Sequence, residues 1–133
     1  MAKVPMISGG GSSTYSSGNV NSSMAGSYCD EIIGTIKING TLYTKYKRTV
    51  YCGALKNNDT TSVDSGITDI SKILALGGNF RKPSSPDYVM NIPYIDNTST
   101  NTVAMYMQGS NIVIKTYGNR TSFIAFATIE YYS

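Results

Sequence analysis

The stretch TVAMYMQGSNIVIKTYGNRTSFIAFATIEYY, residues 102–132, decides the fold class. It holds three strand-like runs, 102–107, 111–117 and 122–132, separated by Gln108-Gly109-Ser110 and by Gly118-Asn119-Arg120-Thr121. Glycine and asparagine at such joints supply the positive φ of tight hairpin connections, so the stretch predicts an antiparallel meander of three strands. In the last run Phe123, Ala125, Ala127, Ile129 and Tyr131 alternate with Ile124, Phe126, Thr128, Glu130 and Tyr132. Both sets are largely apolar or aromatic, and a strand apolar on both faces has to be covered twice. In a chain of 133 residues the second cover is either a second sheet or a neighbouring copy of the same protein.

Upstream, residues 31–51 carry the strongest hairpin signal: Ile32, Ile33, Ile36 and Ile38 lead into Asn39-Gly40, and Leu42, Tyr43, Tyr46, Val50 and Tyr51 follow. Asn-Gly between such runs predicts a two-residue turn. Paired residue numbers then sum to about 79, which sets Cys29 opposite Val50 and diagonal to Cys52. Diagonal neighbours lie ~7–8 Å apart, outside the ~4.4–6.8 Å that a disulfide tolerates, so two free thiols are expected unless a bulge shifts the register. Residues 60–63 read as a short strand between turns at 56–59 and 64–66. Ile67, Ile70, Ile73 and Leu76 suit a helical turn or a strand. Residues 79–101 contain three of the four prolines and are expected to form exposed loops around a short strand near 88–92.

Seven or eight short strands follow from this, and with them an all-β class: an antiparallel β-sandwich or jelly-roll-like domain over residues 28–133. Residues 1–27 read as a flexible N-terminal arm, because Gly9-Gly10-Gly11-Ser12-Ser13 and Ser16-Ser17-Gly18 break any periodicity. At its far end Val4, Pro5, Met6 and Ile7 form an apolar plug suited to anchoring in a groove of a larger particle.

Charged residues make up 14% of the chain, against about a quarter in an average globular protein, and Gly, Ser, Thr, Asn and 11 Tyr take their place. The net charge of +3 is small and dispersed, which argues against nucleic acid as a partner. No window approaches the ~20 apolar residues of a membrane span, and residues 1–8 lack the apolar centre of a secretory signal. Synthesis in a cytoplasm is therefore expected.

The chain has no histidine, the commonest general base and metal ligand. Without one, no serine, threonine or cysteine has an evident activating base. Glu31 and Glu130 are the carboxylates most easily imagined as a glycosidase pair, but nothing in their spacing brings them together. Asp59, Asp64 and Asp69 recur every five residues, unlike a calcium loop, and read as turn residues. No catalytic residue, no metal ligand and no cofactor is assigned, and the chain is expected to be no enzyme.

Five segments carry a likeness in order along the chain: Asp30-Glu31-Ile32-Ile33-Gly34-Thr35; Ile38-Asn39-Gly40-Thr41-Leu42-Tyr43-Thr44-Lys45; Gly53-Ala54-Leu55-Lys56-Asn57-Asn58; Val63-Asp64-Ser65-Gly66-Ile67-Thr68-Asp69-Ile70; and Ala127-Thr128-Ile129-Glu130-Tyr131. Together they resemble the β-rich module at the C-terminal ends of tailed-bacteriophage fibre and spike proteins. The resemblance implies a non-enzymatic virion component, a homotrimer displayed on the virion surface. Two roles fit it: a head fibre or capsid decoration spike bound to a capsid protein through the arm, or the tip of a tail fibre that recognises a host surface glycan. For the second role the candidate contacts are Tyr88 and Tyr94. The absence of a long shaft ahead of the domain favours the capsid role. Independently of the resemblance, the two-faced apolar strand and the tyrosine content predict self-association.

Overall fold

The computed structural model describes residues 6–8, 24–95 and 101–133. Nine strands and one 3-10 turn appear among them: β1 (Met6–Ser8), β2 (Tyr28–Ile38), β3 (Thr41–Ala54), β4 (Thr60–Asp64), the 3-10 turn Ile70–Lys72, β5 (Ile73–Lys82), β6 (Ser85–Ile92), β7 (Val103–Gln108), β8 (Asn111–Thr116) and β9 (Ile124–Tyr132). The class is all-β. A six-stranded antiparallel sheet in the order β1-β2-β3-β9-β5-β6 packs on a three-stranded one in the order β4-β8-β7, giving a sandwich.

Local signals hold where the turn chemistry is decisive. Asn39 (φ 48°) and Gly40 (φ 83°) both adopt positive φ and join β2 to β3 with Ile38 opposite Thr41. Gly109 (φ 57°) likewise turns β7 into β8. The doubtful segment 67–76 divides: Ile70–Lys72 forms the 3-10 turn, with the Asp69 carboxylate accepting from Ser71 N, and the strand starts at Ile73.

The expected meander is corrected at its last step. β7 and β8 pair, but β9 leaves β8 and enters the other sheet between β3 and β5. A strand apolar on both faces is best accommodated in the middle of a sheet, whereas a place beside β8 would have left it at a rim. The link 117–123 is accordingly a crossover. Asn119 bridges Asn57, Asn58 N donates to Gly118 O, and Arg120 N donates to Lys56 O. The Arg120 guanidinium lies among the rings of Phe80, Tyr94 and Phe123 at 5.1–5.6 Å and donates to Asn101 O.

β9 receives its two covers from its own chain. On the inner face Ala125, Ala127 and Ile129 join Val50, Cys52 and Phe80 against Val63, Val103, Ile112 and Ile114 of the smaller sheet. On the outer face Ile124 and Phe126 bury with Tyr51, with Met24 packed on them. Packing of the domain thus extends back to Met24, and Gly26 N and Tyr51 N donate to Tyr51 O and Ser27 O respectively. Of the expected arm, the described parts are this turn and β1; residues 1–5 and 9–23 lie outside the described residues.

A bulge at Ile33 shifts the β2–β3 register by one, so Cys29 faces Thr49 rather than Val50. The shift sends Cys29 to the face opposite Cys52, since successive side chains alternate. No disulfide joins the two cysteines, as expected, but because the bulge separates them onto two faces. The expected loops at 79–101 are corrected too: 79–82 belong to β5 and β6 begins at Ser85, leaving Pro83-Ser84 as a short link. Residues 96–100 lie outside the described residues.

Candidate functional site

At one end of the sandwich the inner face turns from apolar to ionic. Asp30 and Arg48 are register partners on β2 and β3, and only 4% and 7% exposed. Arg48 donates from Nε to Asp30 Oδ1 and from Nη2 to Oδ2, both at 2.7 Å, a bidentate pair. Its Nη1 donates to Ser65 O at 2.7 Å, across to the loop after β4. Tyr131 of β9 donates its hydroxyl to Asp30 Oδ2 at 2.8 Å and accepts from Arg48 Nη2 at 3.2 Å. The Tyr28 ring covers the guanidinium at 3.7 Å, and Tyr46 stacks on Tyr131 at 5.3 Å.

Burial works against the charge of Arg48, but the bond to Asp30 and its negative charge outweigh that, and the guanidinium pKa is raised above its ordinary value. Burial, with the bond to Asp30, pushes the Tyr131 phenol up to about 12. Gly66, at φ 75°, turns past the cluster where a Cβ would come within 2.9 Å of Arg48 Nη1. Beside the cluster, Arg48, Ile67, Asp69, Lys72 and Tyr131 border a cleft of about 200 Å³. These hydrogen bonds join β2, β3, the loop after β4 and β9 at one buried point.

A second concavity, of about 350 Å³, lies on the outer face of the six-stranded sheet across β9, β5 and β6. Ala75 and Gly77 keep its floor low, and a Cβ at Gly77 would meet nothing within 4 Å. Its polar groups are Asn79, Asn91, Thr128 and Glu130. Amide, hydroxyl and carboxylate groups on an open trough can hydrogen-bond a polyhydroxylated ligand. The alternation along β6 puts Val89, well exposed, on the same face as Asn91.

The residues singled out from the sequence fall apart in the structure. Tyr88 is 63% exposed on β6, the rim strand next to the trough. Tyr94 is half-buried: its ring meets Phe80 edge-on at 5.6 Å and its backbone bridges Val103 in both directions. Met6 and Ile7 lie in β1, opposite Glu31 and Asp30, while Val4 and Pro5 lie outside the described residues. Glu31 and Glu130 share one row of the outer face with Lys47 standing between them as the register partner of both. Asp59, Asp64 and Asp69 each accept a backbone N–H one or two residues on, which is turn chemistry. No group of metal-ligating side chains occurs among the described residues, and no helix among them is long and apolar enough to cross a membrane.

Reading by type and spacing missed Arg48, Tyr131 and the trough. Arg48 stood in the run Lys45, Lys47, Arg48, which looks like a solvated strand face. Its inward phase relative to Val50 and Cys52 was the available signal. Compared with protein-family models, curated proteins and solved structures, the chain matches none of them.

Proposed function

We propose that the chain is a non-enzymatic virion structural protein: a short homotrimeric head fibre or capsid decoration spike, made in the host cytoplasm and displayed on the particle surface. Its N-terminal arm binds a major capsid or other virion protein, and the β-domain projects outward. The observation that carries this reading is the rim of the larger sheet at β2. Among the described residues only Cys29, Asp30 and Glu31 of β2 have an outer partner strand, and residues 32–38, four of them β-branched isoleucines, continue as an edge beside the exposed Leu42. Long β-branched edges promote association, and closed cyclic symmetry covers them without opening new ones.

The motifs that carry the likeness to phage fibre modules support the same reading. Three of them meet at one residue: Asp30, Ser65 and Tyr131 all contact Arg48. Such motifs specify a framework, leaving the contact surface to other residues. Sedimentation at micromolar concentration should give the trimer mass; a monomer there removes the basis of the proposal. Quantifying the chain in purified particles should return a copy number divisible by three.

The alternative, a tail-fibre tip that binds a host surface glycan, takes Tyr88, exposed on the rim strand β6, as its contact; the trough of Asn79, Asn91 and Glu130 opens on the other face of that strand. An exposed aromatic ring suits a sugar face. If Tyr88→Ala abolished adsorption to host cells while the assembly stayed intact, this second reading would replace the first.

A further inference from the structure

The trough across β9, β5 and β6 is where the domain leaves hydrogen-bonding side chains unused. Among the described residues, β6 pairs with β5 only between Gly78 and Lys82, so the earlier part of β5 has β9 on one side and a step down on the other. Asn79 stands at the head of that step. Its side-chain oxygen accepts from Arg81 Nη2 at 2.7 Å, and the Arg81 guanidinium lies over the Phe126 ring at 4.9 Å. A guanidinium only donates, so the Asn79 amide is held oxygen-first toward it and both amide N–H groups are left over. Asn91 is the register partner of Asn79, and Thr128 and Glu130 follow one another on the same face of β9. The side chains of Asn91, Thr128 and Glu130 have no partner among the described residues. Side chains facing each other across a ladder stand ~5 Å apart and alternate ones along a strand ~7 Å apart. That is the scale of hydroxyls across one sugar ring or on two linked rings.

Two features narrow the ligand. The floor of Ala75 and Gly77 is flat and carries no polar side chain, so it suits the C–H face of a ring. Glu130 is the one charged side chain on the wall among the described residues, and it repels a carboxylate or a sulfate. We propose that the trough is a binding site for a neutral saccharide. Asn79 and Asn91 donate to its hydroxyls, Thr128 donates or accepts, Glu130 accepts, and Arg81 holds the Asn79 amide in place. The site is separate from Tyr88, which alternation along β6 puts on the other face. It depends neither on the number of copies nor on where in a particle the chain sits.

Gly77 supplies the test. It needs no left-handed φ, and a Cβ there meets nothing within 4 Å, so Gly77→Val fills the trough without pressing on the fold. A β-branched residue in a strand should hold or raise the melting temperature. Full-length wild type, Gly77→Val and Tyr88→Ala are passed over an array of neutral hexose and N-acetylhexosamine oligosaccharides beside sialylated and uronic ones. The wild type and Tyr88→Ala should retain the same neutral oligosaccharides and none of the acidic ones, and Gly77→Val should lose them with its melting temperature intact. Retention of no neutral oligosaccharide, preference for acidic ones, or undiminished binding by Gly77→Val overturns the proposal. Loss in Tyr88→Ala alone also overturns it, and moves saccharide recognition to the Tyr88 face that the tail-fibre reading uses. A second measurement needs no variant: titrating the retained oligosaccharide into wild-type protein should shift the side-chain amide resonances of Asn79 and Asn91, and silence there sinks the site.

Discussion

At the scale of single residues, Arg48 and Asp30 form the strongest polar commitment in the domain. Both charges are buried, so removing one leaves the other without a counterion in a low-dielectric site. Asp30→Ala should cost about 3–5 kcal/mol by denaturant unfolding, and Arg48→Ala a similar amount. Tyr131→Phe removes two hydrogen bonds to charged groups, the one given to Asp30 and the longer one taken from Arg48, and should cost at least about 1.5–3 kcal/mol. Tyr131 also makes stability depend on pH. Its folded pKa of about 12 lies above the ~10 of an unfolded phenol. Between those values the native state holds a proton that the unfolded state has released, so stability declines as pH rises. The contribution is complete below pH ~10 and lost through about 12. Melting curves from pH 9 to 12 should fall more steeply for the wild type than for Tyr131→Phe. Equal slopes would place that proton elsewhere.

Among the elements, two glycines test different constraints. Gly78 of β5 faces the core where Met105 of β7 reaches across, and an added Cβ would stand 2.5 Å from Met105 Cε and 2.6 Å from Phe126 O. The methionine can swing aside, but the backbone oxygen cannot. Gly78→Ala should therefore lower stability by about 1–3 kcal/mol, as overpacking does. Gly40 meets nothing within 4 Å, and its constraint is conformational, φ 83°. Gly40→Val should cost ~1–2 kcal/mol from strain alone. Its melting temperature should drop below the wild type's at two protein concentrations, and identical values at both would discharge the turn from this role. The contrast explains what was legible beforehand. Asn39-Gly40 announces a turn from its own two residues. Gly118-Asn119-Arg120-Thr121 has equal turn chemistry, yet it makes a crossover because Asn57 and a ring cluster from β5 and the segment before β7 hold it there. Those partners are distant in the chain, and local chemistry carries no trace of them. The Ile33 bulge was unreadable for the same reason, whereas the two-sided apolar pattern of β9 did state correctly that the strand lies between two covers.

For the whole molecule, the division between arm and domain is a matter of which residues bury surface. Met24 packs on the outer cluster of Tyr51, Ile124 and Phe126, and Ser27 is buried. Removing residues 1–23 should leave the melting temperature of the isolated domain within a few degrees of the full chain. Removing 1–27 strips the cap from Phe126 and exposes Tyr51 N and O, and the midpoint should fall further. Attachment to the particle should be lost in both. A 1–23 deletion that decorates particles at normal occupancy would move the anchor into the β-domain.

The central position of β9 has a consequence for how the protein folds. It separates β3 from β5, and until it is in place the larger sheet exists as two fragments joined by no ladder. Ala127 closes the gap by pairing with Val50 on one side and with Gly78 on the other, both far from it in the chain. Such non-local ladders form only after long loops have closed, which places folding on the slow side of the range for small domains. The seam that unites the sheet is thus also the step that sets its pace.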